Sequence, residues 1–150
     1  MVRIEKTTPQ HPDFIRLIQA LDKDIAIRDG DEKDFHAQYN KTDKIKHALL
    51  VLENELAVGC GALRHFDENT IEIKRMYVIP ECRGKGIATQ VLHSLEDWAR
   101  SLGYTHAILE TGEKYHEALA LYTKNGYERI PNYGQYEQVL SSRCFKKPLS

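Results

Sequence analysis

The chain has 150 residues, 41% hydrophobic and 29% charged, with a formal net charge of -1. That length suits a single domain with a substantial core, and that composition excludes disordered and membrane-spanning classes. The near-neutral balance speaks against a dedicated nucleic-acid binder, which carries a basic surplus, although Lys41, Lys44, Lys46 and His47 form a small basic patch.

Residues 2 to 6 read as a short strand. His11 to Arg28 then show helical spacing through Phe14, Leu17, Ile18, Leu21 and Ile25, with a stop at Asp29-Gly30. A second, weaker helix is expected from Asp31 to about Asn40. From His47 the period changes. His47 to Leu52 is a continuous apolar run of strand length, Leu56 to Phe66 forms the next strand, and Thr70 to Ile79 the one after. Turns at Glu53-Asn54-Glu55 and Asp67-Glu68-Asn69 make these three an antiparallel meander, closed by Pro80. Gly86 to Leu102 is the clearest helix, with Ile87, Val91, Leu92, Leu95, Trp98, Ala99 and Leu102 on one stripe and Gly103 beyond its end. Tyr104 to Glu110 reads as a strand, Tyr115 to Asn125 as a helix stopped by Gly126, and Tyr127 to Ile130 and Cys144 to Leu149 as further strands. The crossover from Ile71 to Glu110 implies one parallel pair, so the sheet is mixed.

The cysteines Cys60, Cys82 and Cys144 fit no zinc or redox spacing, and the seven histidines suggest no metal site. Free thiols in a reducing cytoplasm are expected. The first residues, Met1 to Lys6, lack the apolar core of a signal peptide. No apolar run approaches the ~20 residues that cross a bilayer.

The informative segment is Met76 to Ala88. A strand ends at a proline, a short loop carries Arg83-Gly84-Lys85-Gly86, and a strong helix begins at once. The first amides of a helix lack intrahelical partners and sit at its positive pole. Glycines there permit close approach of a bulky anion, and Arg83 and Lys85 add charge. Such a loop suits a phosphate or pyrophosphate. It is not a P-loop, whose spacing it lacks, nor a dinucleotide fingerprint, because Thr89 stands where the third glycine belongs. A tight turn with surface charge is the plainer alternative.

The pattern Arg-x-x-Gly-x-Ala at Arg83, Gly86 and Ala88, preceded by Val-x-Pro-Glu-x-Arg-Gly-Lys-Gly, resembles the signature of the GCN5-related N-acetyltransferase (GNAT) superfamily. Ala118-Leu119-Ala120-Leu121-Tyr122 with Asn125-Gly126-Tyr127 is similar to its second block, and the likeness extends over most of the chain. Tyr133-Gly134-Gln135-Tyr136 and Cys144-Phe145-Lys146-Lys147 resemble a bacterial subgroup of small acetyltransferases. The resemblance implies an α/β fold with a mixed, mostly antiparallel sheet of about six or seven strands, about four flanking helices and a splayed parallel pair. It also implies acetyl-CoA as donor. The pyrophosphate would meet the amides of Arg83, Gly84, Lys85, Gly86, Ile87 and Ala88. The pantetheine arm would run along Met76, Tyr77 and Val78, on a strand that carries a bulge. The amide of Met76 or Val78 would bond the thioester oxygen.

Amine attack on a thioester needs a base for the amine and an acid for the thiolate. Tyr122 matches the family tyrosine that reaches the sulfur; elsewhere it would read as a core aromatic. For the base, Glu72 lies four residues before Met76, and period two puts both on one face. Its alternative is an internal ion pair with Lys74 or Arg75. Glu110 is the second candidate, as base or as partner of the amine. Gly112-Glu113 stands where relatives carry an asparagine, which leaves that CoA contact open, and water relays can replace a direct base. Cys82 is poorly placed as a nucleophile, so direct transfer in a ternary complex is expected, with no metal. Tyr133, Tyr136 and Arg143 are candidates to shape the acceptor pocket, or form a variable surface loop. The expected partner is a small-molecule or peptide amine, without nucleic acid or membrane, and a homodimer is compatible with this. A non-catalytic acetyl-CoA sensor or scaffold is the competing function. An ATP-binding reading fails for want of P-loop spacing and magnesium ligands.

Overall fold

The computed structural model describes residues 2–29 and 45–149. Seven strands form one sheet, β1 (Val2–Thr7), β2 (His47–Glu53), β3 (Leu56–His65), β4 (Thr70–Val78), β5 (His106–Gly112), β6 (Glu128–Ile130) and β7 (Ser142–Pro148), in the order β1-β2-β3-β4-β5-β7-β6. Every neighbouring pair is antiparallel except β4 with β5. Three α-helices stand among the described residues: α1 (Pro12–Asp29), α2 (Ile87–Ser101) and α3 (His116–Lys124). The helix expected from Asp31 to Asn40 lies outside the described residues, as do Lys41 and Lys44 of the basic patch. No described helix is long and apolar enough to cross a membrane.

The apolar run of β2 follows from its position. Leu49 and Val51 belong to a core packed under α2, whereas Ala48, Leu50 and Leu52 face α1 through Phe14, Leu17 and Ile18. A strand covered on both faces has no polar side to alternate with. On α2 the stripe Ile87, Val91, Leu92, Leu95 and Ala99 is fully buried; a leucine there contributes ~2 kcal/mol. The helix lies tight on β3 at Gly61, where a Cβ would come within 2.7 Å of Val91 and 2.8 Å of Leu95. Turn chemistry sets the meander. Asn54 and Glu55 take φ of 52° and 66°, the left-handed pair of a two-residue hairpin. Asp67 Oδ1 accepts the amides of Asn69 and Thr70.

Two features of β4 position the site. Its register against β3 shifts between Cys60 and Ala62, with Lys74 opposite Ala62 and Tyr77 opposite Cys60. One extra residue is therefore accommodated near Arg75, which takes φ 59°. The parallel pairing with β5 is short: Thr70 meets His106, Ile71 meets Ala107 and Glu72 meets Ile108. Beyond Glu72, β4 keeps β3 while β5 keeps β7 through Gly112. The two strands part, and a cleft opens between them. Strand β5 starts at His106 rather than Tyr104 because Tyr104 is spent on a bond of 2.7 Å to His65 and on the helix end. Strand β7, by contrast, starts earlier than expected, at Ser142 rather than Cys144, opposite Gly112.

Candidate active site

The fork between β4 and β5 holds a cavity of ≈ 470 Å³. At its outer end lies the glycine loop. Pro80–Cys82 form one 3-10 turn, and Gly84 and Gly86 follow with φ of 79° and 81°. No heavy atom lies within 4 Å of where a Cβ would stand on either glycine. Packing does not require glycine there; the left-handed backbone does. Gly86 is the N-cap of α2, and Gln90 N–H to Gly86 O is a bond of its first turn, at 3.1 Å. The first amides of α2 have no intrahelical partner and stand at the positive helix end, where Gly84 and Gly86 border the cavity. Arg83, Gly84, Gly86, Ile87 and Ala88 line the cavity, whereas Lys85 turns to the surface, 4.0 Å from Glu53. Arg83 is held by its Nε, which donates to Val78 O at 2.8 Å, and its guanidinium sits over the Tyr77 ring.

The free edge of β4 faces the opening. Ile79 donates its amide to Val58 O of β3 at 2.9 Å. Backbone groups alternate sides along a strand, so the amides of Val78 and Met76 aim towards the fork. The Val78 carbonyl, taken by Arg83, shows the same direction. These are the groups that the arm of acetyl-CoA would need.

The bulge divides the sheet faces. Ile71, Ile73, Met76 and Val78 belong to the α2 side, while Tyr77 packs towards α1. Glu72 and Lys74 alternate with Ile71 and Ile73 and so point to the α1 side. The period-two argument that put Glu72 and Met76 on one face therefore fails, because the inserted residue turns Met76 over. Glu72 is buried and does not line the cavity. Its Oε2 accepts from Tyr133 at 2.7 Å and lies 4.0 Å from Lys74 Nζ; its Oε1 is 3.5 Å from Arg64. Glu110 does line the cavity, and Ser142 Oγ donates to it at 2.6 Å. It alternates with Ala107 and Leu109 of the α2-side core, so it shares a face with Lys74.

Tyr122 projects from α3 into the fork and donates to Met76 Sδ at 3.7 Å. Burial first, and Glu110 second, push its hydroxyl well above the usual tyrosine range. It stays protonated at any ordinary pH, as a proton donor must. Burial also holds the Lys74 ammonium below its usual range, opposed by Glu72 and then Glu110. Tyr136 is bonded to Lys74 Nζ at 3.1 Å, and burial pushes Tyr133 and Tyr136 upward too. These two tyrosines stand behind the cavity wall rather than on it. Arg143 lies outside the cavity and pairs with Glu113 at 2.6 Å.

Several cavity residues had no signal in the sequence. Leu21, Asp24, Ile25 and Arg28 come from the end of α1, and Tyr115 and Glu117 from the start of α3. Arg28 joins the two elements, 2.6 Å from Glu117 and over the Tyr115 ring. The Leu21 and Ile25 positions read as core stripe, and only the tertiary fold brings them to the opening. Cys60, Cys82 and Cys144 are free and buried. Burial pushes the Cys60 thiol up to about 12, the opposite of an activated nucleophile. No group of three metal-ligating side chains occurs among the described residues.

Comparison with known proteins agrees with this geometry. The model of the acetyltransferase (GNAT) family matches residues 14–127. An IAA acetyltransferase of Azospirillum brasilense is 31% identical over 99% of this chain and 98% of its own. A crystal structure of a protein from Klebsiella pneumoniae subsp. pneumoniae, inferred to be an acyl-CoA N-acyltransferase, is 32% identical, with a TM-score of 0.81 over 100% of this chain and 99% of that one. A GNAT family acetyltransferase from Elizabethkingia anophelis, solved with acetyl-CoA bound, shares the fold at 19% identity, with a TM-score of 0.74 over 98% of this chain and 97% of its own. A glycine loop at a helix end, a forked parallel pair above it and a family match over most of the chain point the same way: the chain belongs to the GNAT family and is an acyl-CoA-dependent N-acetyltransferase.

Proposed function

We propose that this protein transfers an acetyl group directly from acetyl-CoA to a primary amine of a small molecule or peptide within one ternary complex. The observation that carries this reading is the edge of β4 that parts from β5 beyond Glu72 and leads from the glycine loop to Tyr122. The pyrophosphate is held by the amides of Gly84 to Ala88, since the Arg83 amide donates to Pro80 O at 3.3 Å, and by the Arg83 guanidinium, and the arm lies along Met76, Tyr77 and Val78. The amide of Met76 or Val78 stabilises the oxyanion.

The neutral amine nitrogen attacks the thioester carbon, and the carbon–sulfur bond breaks as the intermediate collapses. The amine gives up a proton to Glu110, directly or through one water, and the departing thiolate takes the Tyr122 proton. Glu110 suits the base better than Glu72, because it lines the fork. Glu72 acts from behind the wall by fixing Lys74 and Arg64. A reducing cytoplasm suits the three free cysteines.

The test is a screen of amines with acetyl-CoA, following thiol release, with Tyr122→Phe and Glu110→Gln alongside. Release that requires an amine and falls in both variants supports the reading. Binding of acetyl-CoA without release for any amine would favour a sensor or scaffold.

A further inference from the structure

The cavity passes through the sheet, and its two halves differ in chemistry. On the donor side its wall is Met76, Val78, Val91 and Tyr122. On the α1 side it carries Lys74 and Glu110, beside Leu21 and Ile25. Opposite charges thus stand on the two strands at the point where they part. Each is held from behind. Lys74 Nζ is 3.1 Å from Tyr136 Oη and 4.0 Å from Glu72, and Ser142 Oγ donates to Glu110 at 2.6 Å. Arg75, next to Lys74 on the bulge, also borders the cavity and keeps a buried Nε–H without an acceptor among the described residues. Buried charges are a poor route to stability, since apolar replacements are often neutral or better. The donor uses neither: its phosphates belong to the loop at the far end.

We infer that the acceptor is a dipolar amine, a free amino acid or close analogue, with its amino group received by Glu110 and its carboxylate by Lys74. This rests on the acetyl-transfer reading above. An amine without a carboxylate would bring its ammonium beside a buried lysine and offer nothing in return. A carboxylate turns that repulsion into a charge-assisted bond. Leu21 and Ile25 then meet the acceptor side chain and favour an apolar one.

The experiment uses matched acceptors, leucine against isopentylamine and phenylalanine against phenethylamine, at saturating acetyl-CoA. Thiol release is followed for the wild type, Lys74→Met and Lys74→Arg, with unfolding temperature and acetyl-CoA affinity recorded for each. The wild type should prefer the amino acid by about tenfold or more in kcat/KM. Lys74→Arg should keep the preference, and Lys74→Met should bring the ratio close to one. Equal or better use of the carboxylate-free amines by the wild type overturns the inference and leaves acetyl transfer standing. A preference that survives in Lys74→Met overturns the part given to Lys74. Transfer to no amine of any kind overturns the underlying reaction, and the inference with it. Should Lys74→Met fail to fold, the wild-type ratio alone decides the acceptor class.

Discussion

Tyr122 donates to Met76 Sδ at 3.7 Å inside the fork, with its hydroxyl held protonated by burial. Tyr122→Phe should therefore lower kcat by about a hundredfold or more, while the affinity for acetyl-CoA, read by titration calorimetry, stays near the wild-type value. Full activity in that variant would remove the phenol as the acid. Because its titration is displaced upward, the pH profile of the wild type should show no loss attributable to Tyr122 up to about pH 10. The same tyrosine was legible in the sequence from its block with Asn125-Gly126-Tyr127. The carboxylate was not. Glu72 is the first candidate along the chain and Glu110 the second, yet Glu72 lies where β4 still pairs with β5, opposite Ile108, while Glu110 lies beyond the parting and lines the cavity. The inserted residue at Arg75, with φ 59°, moreover turns Met76 to the other face from Glu72. A bulge without glycine leaves no mark that spacing can detect.

At the scale of elements, the glycine loop and the β4 bulge do complementary work. Gly84 and Gly86 keep the backbone left-handed where α2 begins, so Gly86→Ala should cost ~1–2 kcal/mol in chemical denaturation. The loop was readable in advance because its meaning is local: Arg83 to Ala88 are contiguous, and the strand before and helix after announce themselves. The fork was not, because it depends on how early β4 abandons β5. Gly61 makes a separate prediction. A methyl there meets Val91 and Leu95 at under 3 Å, so Gly61→Ala should destabilise by ~1–3 kcal/mol and push α2 outward. The displacement would also misplace the loop, and a weaker acetyl-CoA affinity should accompany the lower stability.

Across the whole molecule, buried tyrosines make the fold sensitive to alkali. Burial pushes the hydroxyls of Tyr122, Tyr127, Tyr133 and Tyr136 upward. They remain neutral in the folded protein while unfolded phenols ionise near about 10. The resulting stability is intact below that pH and is lost as pH rises above it. Lys74 acts with the opposite sign: stability rises with pH from its lowered value until the unfolded lysine has titrated, near about 10.4. Four groups outweigh one, so the urea midpoint should fall between about pH 9 and about pH 11. Strand count, the meander and the crossover were all visible in the sequence, because each rests on short turns and periodicity. The convergence of the α1 end with Tyr115 and Glu117 over the cavity was not visible, since residues about 90 apart meet there.

The central claim is that the loop from Arg83 to Ala88 holds the CoA pyrophosphate and thereby aims the thioester at Met76 and Tyr122. Calorimetric titration of the wild type and Gly86→Glu with acetyl-CoA and with S-acetylpantetheine, which lacks the pyrophosphate, tests it most directly. A carboxylate in the loop should repel the pyrophosphate and weaken acetyl-CoA by about tenfold or more. S-acetylpantetheine should bind both proteins equally and weakly. Undiminished acetyl-CoA binding by Gly86→Glu would contradict the account.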